Sequence, residues 1–277
     1  SQTLFAKMAR EGDAATFRNF CARRPHDENS DSQLAQTLFA KSISFNSLLN
    51  IRHEEKVGLD FIFDREARRS EMYAHVRDHI KGLVKSSEAI RSRKRQSYYA
   101  GICEAFPTLD NLLTPITVRE FEFIKSSTSK DVNSIKIPLD GPYMIAIMTL
   151  DRYFTDTLRA KYENDPSELE YAVKRALTLA IAEHVIRPQV EALAKAGAKW
   201  IQLDEPSLTN DYEHIPVFVE GINAVVNGID GVKFSIHICY PNRRTFTHKN
   251  GYELLFPHIL RLDPRIAHLS LELANAD

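Results

Sequence analysis

KWIQLDEP, residues 199–206, is a short apolar run that stops on two acids and a proline. A run of this length bounded by a turn residue reads as a buried strand. VGLDFIFDRE (57–66), IKIPLDGP (135–142), KFSIHICY (233–240) and RIAHLSLE (265–272) are built alike, each ending in an acid, a metal-capable residue or a turn. YYAGIC (98–103) is a weaker sixth candidate. Helical stretches lie between the strands. In 165–197, Asp165 is placed to cap the N-terminus, with Pro166 in the first turn and Glu168 at the third position; Gly197 supplies the stop, and Pro188 is expected to kink the helix. TPITVREFEFIKSST (114–128) opens on a capping threonine and precedes IKIPLDGP.

Alternating strands and helices without a Gly-rich phosphate fingerprint leave a doubly wound sheet or a (β/α)8 TIM-type barrel. The polar residues recur at the C-terminal ends of the strands, where barrel active sites are assembled, and this favours the barrel. Six strands in 57–272 leave it two short, so the first and last strands are expected to be altered or absent. Residues 57–277 are assigned to the barrel and 1–56 to a helical or irregular N-terminal segment. That segment carries QTLFAK twice, at 2–7 and 36–41, a repeat to which no chemistry is assigned.

The 277 residues carry 36 Lys plus Arg against 37 Asp plus Glu, a balance that demands neither a nucleic-acid nor a membrane partner. The densest basic stretch, RSRKRQS at 91–97, reads as a solvated loop or helix end. No apolar run approaches the ~18 residues that span a bilayer, and the N-terminus lacks a signal-peptide layout. Three widely spaced cysteines, Cys21, Cys103 and Cys239, argue against a disulfide framework. A cytoplasmic protein with reduced thiols is expected, so that one cysteine can serve as ligand or nucleophile.

His237 and Cys239 stand at i and i+2 of a strand and share one face. If the strand ends converge, Glu272 at the end of the next strand joins them. Imidazole, thiolate and carboxylate with a fourth position open suit a catalytic zinc that binds a substrate thiol. Asp204 and Glu205 are adjacent, so one should face the barrel mouth and the other a wall. An inward carboxylate can hold a substrate ammonium by a charge-assisted hydrogen bond. Glu66 is a third acid of the same ring.

KWIQLDEPSL, FSIHICY and LSLE, in this order, resemble the catalytic domain of cobalamin-independent methionine synthases, their single-domain relatives and the epoxyalkane:coenzyme M transferases. VGLDFIFDREARRSEMYAHV resembles the family's Gly-Leu-Asp segment that ends in Asp-Gly-Glu or His-Gly-Glu, and IPLDGP resembles its Thr-Gly-Pro strand end. The resemblance implies a barrel with Zn2+ on His237, Cys239 and Glu272, and substrate-binding acids at Glu66 and Asp204. It implies methyl transfer to a thiol, homocysteine or a coenzyme M-type acceptor, from a folate or corrinoid donor. There are departures. Arg65 stands where the family has glycine, which is expected either to fill a substrate pocket or to strain a turn. The family's Gly-Ser-Phe-Pro strand has no counterpart in 1–56, and its second cysteine ligand and histidine acid lie beyond the match. These departures suggest a fragment, a completing segment or homo-oligomer, or a degenerate barrel that binds or assembles without catalysis.

Overall fold

The computed structural model describes residues 33–69, 72–91, 97–110, 116–208, 212–239 and 252–272. In chain order its helices are α1 (Gln33–Lys56), α2 (Met72–Arg77), α3 (Ile116–Ser127), α4 (Pro142–Ile147), α5 (Tyr153–Leu158), α6 (Pro166–Ile181), α7 (Arg187–Ala196) and α8 (Ile215–Val226). The strands are β1 (Ile80–Arg91), β2 (Ser97–Leu109), β3 (Lys136–Asp140), β4 (Thr149–Asp151), β5 (Trp200–Asp204), β6 (Lys233–Ile238) and β7 (Ile266–Leu271).

Four of the expected strands form one parallel sheet in the order β3-β5-β6-β7. Ile137, Leu139, Ile201, Leu203, Phe234, Ile236 and Ile238 alternate onto one face. There they join a single buried cluster with Leu177, Val190, Leu193, Phe218 and Ile222 of α6, α7 and α8. Full burial of such a side chain contributes about 1.5–3 kcal/mol, so this face anchors the sheet. The opposite face carries Lys136, Gln202, Ser235 and, at the C-terminal ends, Asp140, Asp204 and His237.

Two expected strands behave differently. Within 57–66 only Ile62 bridges the sheet, in parallel with Ile135. Arg65 and Glu66 have φ of +55°, a left-handed conformation that a strand does not accommodate. YYAGIC belongs to β2, which pairs antiparallel with β1 and parallel with β4 in a separate three-stranded sheet. Its partner IKGLVKSSEAIR offers few large apolar residues, and the pairing is made by backbone over a long hairpin instead. Closure into a barrel is not seen among the described residues, where β7 is an edge strand paired only with β6.

The helical reading of 165–197 is matched closely. Asp165 accepts a hydrogen bond from the Glu168 N–H at 3.0 Å, and Gly197 at φ +97° closes α7. Its N–H donates to Ala194 O, and that of Ala198 donates to Leu193 O, the paired closure that a left-handed glycine allows. Pro188 does not interrupt the helix. One π-helical turn, Ala182–Ile186, precedes it and widens the backbone where the proline ring would meet the carbonyl four residues earlier. The helix expected at 114–128 is α3; Thr114, the first QTLFAK copy, Cys21 and residues 92–96 of the basic stretch lie outside the described residues, and the second QTLFAK copy lies on α1. No helix among the described residues is long and apolar enough to cross a membrane.

The Asp165 cap yields a direct stability test. Asp165→Ala is expected to destabilise the fold by about 1 kcal/mol, read in urea as a lower midpoint at unchanged slope.

Candidate active site

Register brings the polar strand ends into one row. Asp140 pairs with Asp204, Asp204 with His237, and His237 with Ser270. Below the row, Lys136 Nζ donates to Gln202 Oε1 at 2.8 Å and Gln202 Nε2 donates to Asp204 Oδ1 at 2.7 Å. Asp204 is 7% exposed. Burial raises its pKa from an ordinary 3.8 to about 7, and Glu66 adds to the rise, while the Gln202 hydrogen bond, Arg69 and Lys136 oppose it.

Glu205 takes the other direction, as two adjacent acids must. It is fully buried and accepts the N–H groups of Tyr143 at 2.9 Å and Met144 at 2.7 Å, at the start of α4. Burial holds its pKa well above the usual carboxylate range despite those donors. Gly141 makes room for it, since a Cβ there would lie 2.2 Å from Glu205 Oε1. The backbone closes the same corner: Gly141 N–H donates to Asp204 O, and Glu205 N–H to His237 O, both at 2.8 Å.

Glu66 reaches the row from the loop after Ile62. The Asp64 carboxylate accepts the Glu66 N–H at 3.0 Å, and Arg69 Nη1 donates to Glu66 Oε1 at 2.6 Å. Arg65 turns away from this site. Its Nε donates to Glu54 Oε1 at 2.9 Å and its side chain is 52% exposed. Of the two consequences expected from an arginine here, the turn is strained and the Arg65 side chain points elsewhere than into the acid cluster.

His237 and Cys239 do meet, with Nε2 3.1 Å from Sγ. His237 Nδ1 lies 3.1 Å from the carbonyl of Ser270. A carbonyl only accepts, so Nδ1 carries the proton and Nε2 turns its lone pair toward the thiol. Ligands at about 2.0–2.1 Å (N) and about 2.3 Å (S) from one zinc at the tetrahedral angle sit roughly 3.5 Å apart; the pair stands closer, at hydrogen-bonding distance, and would have to part slightly to take two corners of a zinc site. Glu272 follows Leu271, the register partner of Ile238, and so stands beside Cys239 at the next strand end. Its N–H bonds the Tyr252 hydroxyl at 2.9 Å. Among the described residues no group of three His, Cys, Asp or Glu side chains is gathered closely enough to hold a metal ion. Cys103 is no rival thiolate: burial, then Asp151, pushes its pKa up to about 12.

Residues 22–249 match the family described as the catalytic domain of cobalamin-independent synthase. The chain belongs to this family. Among its relatives, the methionine synthase of Pyrococcus furiosus is 29% identical over 237 residues, covering 86% of this chain and 60% of the relative. That of Thermococcus kodakarensis is 29% identical over 243 residues, 88% and 62% of the two chains. That of Saccharolobus solfataricus is 31% identical over 188 residues, 67% and 48%. The chain thus spans about 60% of the length of the first two. The structure of a B12-independent methionine synthase from Shewanella sp. W3-18-1 in complex with selenomethionine superposes with a TM-score of 0.57 at 17% identity, over 74% of this chain and 53% of that one. That likeness is one of fold.

In this synthase-family domain three site neighbours escaped the sequence reading. Arg69 and Glu120 form a buried ion pair at 2.8 Å. Arg69 lies in the arginine-rich stretch REARRS (65–70), and its i+3 spacing from Glu66 is a usable signal. Tyr252 places its hydroxyl 3.0 Å from both Ile238 O and Glu272 O, pinning two strand ends, and nothing in its sequence setting announces this.

Two outcomes follow from the site's energetics. The raised pKa of Asp204 means that it stabilises the fold fully below about pH 4 and that this contribution is lost as pH rises through about 7. Asp204→Asn keeps an oxygen for Gln202 and removes the charge. It should be more stable than wild type by about 2–4 kcal/mol at pH 8, with the gap closing toward pH 4 in denaturant titrations. At position 65, Arg65→Gly and Arg65→Ala both lose the Glu54 pair, but only glycine relieves the left-handed backbone. The glycine variant should be the more stable by about 1 kcal/mol, measured the same way.

Proposed function

We propose that this domain transfers a methyl group to the thiol of an amino acid, homocysteine to methionine, with zinc as cofactor. The observation that carries the reading is the row of strand ends: a buried acid, Asp204, within electrostatic range of Glu66, one strand away from a histidine and a cysteine in contact. Residues 57–277 would form the barrel-type catalytic part and 1–56 an N-terminal segment.

His237, Cys239 and Glu272 would hold the metal, which when bound lowers the pKa of a substrate thiol so that thiolate is available at neutral pH. Asp204 binds the substrate ammonium. With its pKa near 7, it ionises readily when a cation arrives and is only weakly penalised as a neutral acid when empty. Glu66, 31% exposed, supplies a second charge to the same ammonium from the open side. Lys136 and Gln202 keep the Asp204 carboxyl in one orientation through their hydrogen-bond chain. A coenzyme M-type acceptor fits this arrangement less well, because its sulfonate would face three acids, Asp140, Asp204 and Glu66. The methyl donor is a folate or a corrinoid.

A second reading is favoured by β7, an edge strand among the described residues. Unpaired backbone along an edge invites another strand, so a further segment, or a partner chain, would complete the sheet, and a barrel that only binds or assembles would share this need. Metal content separates the two. Purified protein is expected to carry stoichiometric zinc by elemental analysis, lost in His237→Ala and in Cys239→Ala. Wild-type protein without zinc would sink the enzyme reading. Where zinc is found, formation of methionine from homocysteine with a methyl-folate or methyl-corrinoid decides the donor.

A further inference from the structure

Arg69 takes no part in the reaction just described, yet it touches Glu66, one of the two acids that do. Its side chain is 4% exposed. Nε and Nη2 donate to the two oxygens of Glu120 at 3.3 and 2.8 Å, and Nη2 donates also to the carbonyl of Pro138 at 2.7 Å. Glu120 belongs to α3 and Pro138 to β3, so the guanidinium plane is fixed against both a helix and the sheet. Nη1 then donates to Glu66 Oε1. Burial opposes the charge on Arg69, but Glu120, Glu66 and Asp140 outweigh it and hold the guanidinium firmly protonated.

Glu66 needs such a hold. It sits at φ +55° on a loop, beside Arg65 in the same left-handed conformation, and it lies within electrostatic range of Asp204. Strained backbone persists only where its surroundings over-determine it, and like charges brought together repel. Arg69 answers both demands, because its fork is fixed on Glu120, which aims the single Nη1 donor at Glu66 from a defined angle, and its charge offsets the gathered acids. A lysine would supply the charge without the fork.

We propose that Arg69 is a positioning residue that aims the Glu66 carboxylate at the ammonium group of an amino-acid ligand shared with Asp204. The proposal rests on the reading of Glu66 and Asp204 as substrate acids. Removing Arg69 alone would strand the buried Glu120 charge, so the informative variant is R69M/E120Q, with E120Q as its control.

The full chain is titrated calorimetrically with L-methionine and with 4-(methylthio)butanoate, which lacks the ammonium. E66Q and R69M/E120Q are each expected to weaken L-methionine by about tenfold, the loss of one charged contact, while E120Q changes it little. The triple variant should bind like E66Q alone, since Arg69 acts through Glu66, and the butanoate should bind all variants alike. R69K, which keeps the buried charge, carries the same ligand-selective loss should the double variant fail to fold. Additive losses, equal losses for both ligands, or wild-type binding by the Arg69 variants while E66Q is impaired would overturn the role of Arg69 alone. Wild-type binding by E66Q would overturn the substrate-acid reading, and the Arg69 proposal with it.

Discussion

Asp140, Asp204 and His237 stand side by side because β3, β5 and β6 run parallel with these three residues in register. Parallel strands turn in-register side chains to the same face, so one backbone alignment sets two things together. It sends the aliphatic residues between them into a common core with the helices, and it lines the charged residues along the opposite face. A slip of one residue would exchange the faces, burying the acids under α6, α7 and α8 and exposing the leucines and isoleucines. The core therefore fixes the site, because the hydrophobic free energy that holds the sheet against the helices also selects the register.

Assembling the row has an electrostatic cost that the protein meets in two ways. Acids turned toward the helices are given backbone donors, as Glu205 is by Tyr143 and Met144. Glu66, turned toward the opening, is given a cation from below, the buried Arg69, which is held in turn by the buried Glu120. Asp204 is left between these solutions, with one neutral donor from Gln202 and charges of both signs nearby, and its proton affinity rises accordingly. An acid in that state responds to the arrival of a ligand cation more than one that is already ion-paired.

Local strain follows the same logic. Successive left-handed residues at 65 and 66 are tolerated because their surroundings hold them from several sides: Ser47 and Arg68 on Asp64, Glu54 on Arg65 and on the Phe63 N–H, Arg69 on Glu66. Two of these supports, Ser47 and Glu54, come from α1. Thus a helix that carries no site residue helps to set the angle at which Glu66 enters the row.

The sequence by itself determined the order of elements and their polarity, because short apolar runs ending in acids and long capped amphipathic runs are local patterns. Thus β3, β5, β6, β7, α6 and α7 are legible in it, as is the divergence of Asp204 from Glu205, and the family was legible in IQLDEP, FSIHICY and LSLE. The tertiary structure decided what depends on partners distant in the chain. It moved YYAGIC from the parallel sheet into a hairpin, because strand membership is a matter of pairing and not of composition. It reduced 57–66 to a single bridge and buried Arg69 against Glu120, fifty-one residues away. It also turned Arg65 outward toward Glu54. Charge and burial of this kind are set by what packs around a side chain, and no local window of sequence contains that information.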